Sequence, residues 1–185
     1  MTRRTNGMPG SVAARETAGR RPLYTPAERA RRDATRWTLV QGVLAPVQFA
    51  VMLVSLTLVL RYLRTGHGLA AAHASVVAKT AALYAIMTTG ALWEKVVFGR
   101  YLFARAFFWE DAVSMVVIAI HTFYLLALAS GALGPRPLMY VALAAYALYA
   151  ANAAQFVLKL RAARLDEAAA RGADSVIMPT AGLPA

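Results

Sequence analysis

The chain has 185 residues, 59% of them hydrophobic, and a mean hydropathy of +0.49. That is too apolar for an ordinary soluble domain of this length. Cysteine is absent, which excludes disulfides, thiolate metal sites and a cysteine nucleophile. The formal net charge of +11 gathers toward the two ends, so it points to membrane topology rather than to nucleic acid.

Residues 1–22 are rich in Arg, Gly, Ser and Thr and poor in large apolar side chains. Such a segment buries too little to offset its ordering entropy, and a disordered tail is expected. No short apolar run with a small-residue cleavage site follows the early arginines, so a signal peptide is not expected; an Arg-rich organellar transit peptide fits the same composition. Thr25-Pro26-Ala27-Glu28 reads as a helix start, with Thr25 as cap, Pro26 at the first helical position and Glu28 closing a capping box. The short interfacial helix that follows carries Arg29, Arg31, Arg32 and Arg36 as far as Trp37.

Four apolar spans come next, about Leu39–Leu60, Ala71–Trp93, Ala112–Gly131 and Leu138–Leu158. Each is close to the ~20 residues that a bilayer requires. Pro46 removes one backbone hydrogen bond from the first span and is expected to kink it. Gly66-His67-Gly68 and Gly134-Pro135-Arg136-Pro137 read as turns, and the polar stretch after Asp166 is expected to fray. The fold class is therefore all-α: an integral membrane four-helix bundle in residues 23–165, between a tail at 1–22 and a flexible tail at 166–185. Four spans put both termini on one side with the Lys95–Arg105 connection. That side holds sixteen basic residues, the other holds three, and Lys79 lies within a span. The positive-inside rule then makes the termini cytoplasmic.

Polar side chains inside spans are expensive and mark function by default. Gln41 and Gln48 share a face of span one. Glu110, Ser114 and His121 share a face of span three, Glu94 ends span two, and Asn152 and Gln155 lie three apart in span four. All fall in the half of the membrane nearer the termini, with Lys79 the exception. The amides also fit interhelical hydrogen-bond glue. Glu94, Glu110 and Asp111 also fit solvated span ends, and Lys79 fits a side chain that snorkels to the far interface. The aromatics Phe98, Tyr101, Phe103, Phe107, Phe108 and Trp109 would form an interface belt, or line a site for a flat conjugated ligand together with Tyr149. No P-loop, HExxH, Rossmann glycine motif or Ser-His-Asp constellation is present, and neither a redox cofactor nor a dedicated metal site is expected.

Several runs go further than composition. They are Tyr24-Thr25-Pro26, Arg31-Arg32-Asp33-Ala34-Thr35, Trp37-Thr38-Leu39-Val40-Gln41-Gly42-Val43-Leu44-Ala45-Pro46, Trp93-Glu94-Lys95-Val96-Val97-Phe98-Gly99, Phe107-Phe108-Trp109-Glu110-Asp111 and Asn152-Ala153-Ala154-Gln155-Phe156. Over about Pro22–Leu165 the chain resembles the vinyl bacteriochlorophyllide hydratase family of phototrophic bacteria. The resemblance implies a membrane hydro-lyase of bacteriochlorophyll synthesis, in the bacterial inner or intracytoplasmic photosynthetic membrane. Its substrate would be a magnesium tetrapyrrole, a chlorophyllide or 3-vinyl bacteriochlorophyllide, whose C3 vinyl group takes up water to become 1-hydroxyethyl. Other pigment-biosynthesis enzymes are further expected partners, and no cofactor is implied.

Hydrating a vinyl group on a conjugated ring begins by protonating its terminal carbon, and water then adds to the carbon beside the ring. This asks for an acid, a base that positions water, and polar groups near the developing charge. The expected proton carriers are Glu94 and Glu110, with Asp111 holding water or capping the third span. His121 is an expected relay or axial ligand to the substrate magnesium. Arg100 and Arg105 are expected to pair with a substrate propionate. Trp93, Phe108, Trp109 and Tyr149 would hold the macrocycle, and Gln41, Gln48, Ser114, Asn152 and Gln155 would line the cavity. Two other functions remain open: a non-enzymatic tetrapyrrole carrier or pigment-complex assembly factor, which needs no acid, and a small transporter subunit, which needs polar groups through the full membrane depth.

Overall fold

A computed structural model describes residues 23–177. They form five helices: α1 (Pro26–Ala34), α2 (Arg36–Thr65), α3 (Leu69–Phe98), α4 (Phe108–Ser130) and α5 (Pro135–Ile177). No strand occurs among the described residues. The expected tail at 1–22 and the last residues from 178 lie outside them.

Helix α1 starts as its sequence dictates. The Glu28 amide donates to Thr25 Oγ1 at 3.3 Å, and the Thr25 amide donates to the Glu28 carboxylate at 2.7 Å. This bond to Thr25 holds the Glu28 carboxyl below its ordinary range. Thr25→Ala removes the cap and should cost about 1 kcal/mol of local stability, seen as faster amide exchange confined to α1. The polar helix does not run unbroken to Trp37. Thr35 is extended and its hydroxyl accepts the Trp37 amide, so it ends α1 and caps α2.

Helices α2 to α5 are each long and apolar enough to cross a membrane. At ~1.5 Å per residue, the 30 residues of α2 and of α3 outrun a ~30 Å hydrocarbon layer, so their ends project from it. Gly66 ends α2 at φ 73° and Gly99 ends α3 at φ 80°, left-handed positions that glycine takes without steric cost. Pro46 sits inside α2, which continues past it. Helix α5 does not fray at Asp166 but runs on to Ile177. Its extension is tied to α1, because Glu167 pairs with Arg29 and with Arg32, each at 3.3 Å.

The packing is two antiparallel hairpins, α2 on α3 and α4 on α5, closed into a bundle by α2 against α5 and α3 against α4. The core combines bulky residues such as Val59, Val76, Val117, Tyr124 and Met139 with alanines at 72, 127, 142 and 145, which let the backbones approach closely. The outside is apolar: Leu39, Val54, Leu126, Val157 and Leu158 are all exposed. An exterior of this kind on four such helices suits lipid rather than water, and the protein is an integral membrane protein.

Candidate active site

The turn between α3 and α4 folds back over the ends of both helices. Glu94 lies in the last turns of α3 and Asp111 in the first turn of α4. The Ala104 amide donates to Glu94 Oε2 at 3.1 Å, and the Phe103 amide donates to Asp111 Oδ2 at 2.8 Å. The two carboxyl groups come within hydrogen-bond reach of each other and are almost fully buried. Phe103 is the one non-glycine residue with positive φ among the described residues, 58°. Such a conformation costs about 1–2 kcal/mol, and it persists here because two successive amides are held on two carboxyls. Asp111 is therefore not the cap of α4: its side chain turns to the loop, and the N-cap residue, Phe107, makes no side-chain cap bond.

An aromatic cluster closes the site from the terminal side. Phe107 is surrounded by Trp93, Phe98, Phe156 and Tyr24, with ring centroids 5.7, 5.9, 5.9 and 6.4 Å away. Tyr24 stacks on Phe98 and lies under the Arg32 guanidinium, 4.7 Å from its centroid. Burial pushes the Tyr24 phenol up to about 12, so it packs as a neutral ring. Helix α1 is strapped across this cluster, with Arg31 Nε donating to the Val97 carbonyl at 2.8 Å. Thr38 links the layers: its hydroxyl donates to the Arg32 carbonyl and accepts from Trp93 Nε1.

Glu110 is placed apart from the acid pair. Its Oε2 meets Lys159 Nζ at 2.6 Å, and Lys159 also lies over the Phe107 ring. Ser114, one turn beyond Asp111, accepts from Asn152 Nδ2 at 2.8 Å. Deeper still, the Gln48 side chain reaches the Tyr149 phenol, and Lys79 Nζ sits 3.7 Å from the Tyr149 ring centroid. His121 is fully buried, with Nδ1 bonded to the Val117 carbonyl and its ring against Tyr146. A macrocycle would have to part the helices to reach it, so the expected axial-ligand role has no geometric support. Gln41 donates to Thr89 on α3, away from the acids.

Other expected contacts point outward. Phe108, Trp109, Arg100, Arg105 and Gln155 are exposed, and Trp109 is 73% so. Phe103, Phe108 and Trp109 still form a contiguous ring surface, with successive centroids 5.7 and 5.5 Å apart. Gln155 faces the exterior because it lies one residue off the inward face that Asn152 and Phe156 share.

Polar groups do not stop halfway across the membrane. Lys79 is buried at the bundle centre and does not snorkel. Beyond it, the Tyr146 hydroxyl bonds Ser55, Ser55 bonds Ser75, and the Tyr124 hydroxyl bonds His73 Nδ1 at 2.7 Å. The sequence signal for these residues existed, as Ser55, His73 and Ser75 are polar groups within apolar spans. Their shared depth became evident only once the helices were paired.

Comparison with known proteins gives a consistent picture. The family model described as 2-vinyl bacteriochlorophyllide hydratase matches residues 24–162. A protein of Cereibacter sphaeroides named 2-vinyl bacteriochlorophyllide hydratase is 64% identical over 155 residues, covering 83% of this chain and 96% of that protein. One of the same name from Rhodobacter capsulatus is 58% identical over 163 residues, covering 88% and 94% respectively. No solved structure matches the chain.

Proposed function

This chain belongs to the 2-vinyl bacteriochlorophyllide hydratase family, and from that premise we propose that it hydrates the vinyl group of a bacteriochlorophyllide or chlorophyllide to 1-hydroxyethyl, with Glu94 and Asp111 handling the proton. The supporting observation is the pairing of these two buried carboxyls beneath the amides of Phe103 and Ala104. A hydrogen bond between two carboxyls requires a proton on one of them, so the pair holds an acid and its conjugate base side by side. The acid protonates the terminal vinyl carbon. The positive charge appears on the carbon beside the ring and spreads into the macrocycle. Water then attacks that carbon, its displaced proton returns to the carboxylate, and the pair is restored. The loop amides stabilise the carboxylate while it is charged, without reorganisation during the reaction.

The exposed rings of Phe103, Phe108 and Trp109 supply a lipid-side platform for the face of the macrocycle. The strained Phe103 turn is the element that yields to bring the vinyl group to the acids. Arg100 and Arg105, exposed on the same turn, suit a substrate carboxylate. Glu110 serves the fold, through Lys159. Polar groups through the full membrane depth meet the requirement set for transport, so depth no longer separates the two readings; family membership favours the hydratase.

The membrane is proposed to be the bacterial inner or intracytoplasmic one, with cytoplasmic termini, on the support of the sixteen-to-three basic asymmetry. An alkaline phosphatase fused after Leu165 should be inactive, and an active fusion would reverse the topology. For the reaction itself, membranes from a heterologous host expressing the chain should convert the vinyl pigment to a product heavier by one water. Pigment retained at unchanged mass would favour the carrier.

A further inference from the structure

We propose that the centre of the bundle is a water-binding site, and that water held there is the water added to the substrate. The proposal rests on the acid-pair reading for its destination. The site itself rests on different observations. Four buried polar atoms in the bundle interior lack a hydrogen-bond partner among the described residues: Lys79 Nζ, Gln48 Oε1 and His121 Nε2, and, on the side toward the acids, Asn152 Oδ1. Each belongs to a side chain at least nine-tenths buried. Lys79 and Gln48 both meet Tyr149, Lys79 is close enough to His121 to interact electrostatically, and Asn152 follows Tyr149 by one turn of α5. Leaving a buried polar group without a partner is destabilising, so these four groups need an occupant.

Chemistry restricts what that occupant is. Lys79 offers donors only. Gln48 Oε1 and Asn152 Oδ1 are acceptors, and His121 Nε2 is one too, since its other nitrogen donates to the Val117 carbonyl. An anion would satisfy Lys79 and repel the three acceptors. A cation would do the reverse. Water both donates and accepts, and it is small enough to lie between packed helices.

The cluster also leads to the acids. Asn152 bonds Ser114, and Ser114 stands one helical turn from Asp111. In the other direction lie Tyr146 with Ser55 and Ser75, then Tyr124 with His73, which is half-buried at the far end of α3. From the terminal side, by contrast, the acids are shut in by the loop amides and by the Phe107 cluster. Interior supply would deliver single water molecules to a cation while keeping bulk water out.

The test is hydroxyl-radical footprinting by X-ray pulses on the full chain in lipid nanodiscs, where radicals formed from bound water label adjacent side chains. Tyr149 should be labelled despite its burial, whereas the fully buried Met139, in the apolar core, should not. Tyr149 as silent as Met139 would overturn the water site, with no variant required. Lys79→Met and Asn152→Leu should then lower both Tyr149 labelling and kcat, the latter by at least about tenfold, the equivalent of a hydrogen bond to the reacting water, with KM unchanged. Labelling lost while kcat is kept would overturn supply of the substrate water. Failure of the acid-pair reading shows elsewhere, as normal turnover in Glu94→Gln with the footprint intact.

Discussion

Glu94→Gln should lower turnover by at least about 10², the usual cost of removing a general acid, in membranes with matched protein levels. The substitution keeps the side chain's size and its acceptor for the Ala104 amide, but removes the exchangeable carboxyl proton. Asp111→Asn should fall by a similar factor, because the two carboxyls act as one unit. The double variant should be little worse than either single one. Glu110→Gln sets the contrast. Its carboxylate is occupied by Lys159, whose side chain is 27% exposed and can turn to water. Breaking that pair should cost about 1 kcal/mol or less and leave most of the turnover. If Glu110→Gln abolished turnover and Glu94→Gln did not, the proton chemistry would belong to the Glu110–Lys159 pair.

Phe107→Ala should destabilise the protein by about 3–5 kcal/mol, the range for deleting a buried phenylalanine. Phe107 is 3% exposed and touches rings from the N-terminal strap, α3 and α5. No single neighbour can collapse into the space, since each is anchored on a different element. The loss should appear as a lower midpoint of thermal aggregation in detergent. Phe107→Leu, which keeps most of the volume, should lose far less. A Phe107→Ala midpoint equal to wild type would mean that the cluster does not hold the strap against the bundle.

The helices were legible because each span repeats one physical signal over twenty or more residues, and because Thr25-Pro26-Ala27-Glu28 carries its own capping chemistry. The break at Thr35 was not, since a threonine inside an arginine-rich helix shows its capping role only when the next helix leaves in a new direction. Glu94 was legible as a buried carboxyl at a span end. Its partner was not: Glu110 and Asp111 are adjacent in sequence, and which of them turns inward depends on how the loop at 99–107 returns across α4. The helical extension beyond Asp166 depends on Glu167 meeting Arg29 and Arg32, a contact more than 130 positions away in sequence. Lys79 was hardest to place. Snorkelling and full burial are equally compatible with a lysine in an apolar span until the ring of Tyr149 is found beneath it.

The most direct test of the account is one turnover experiment with the purified protein and the vinyl pigment in heavy water enriched in oxygen-18. The account predicts a product with one heavy oxygen on the carbon beside the ring and one non-exchangeable deuterium in the new methyl group, formed by wild type and not by Glu94→Gln. Heavy oxygen without methyl deuterium, or equal product from Glu94→Gln, would contradict proton transfer from the acid pair to the terminal vinyl carbon.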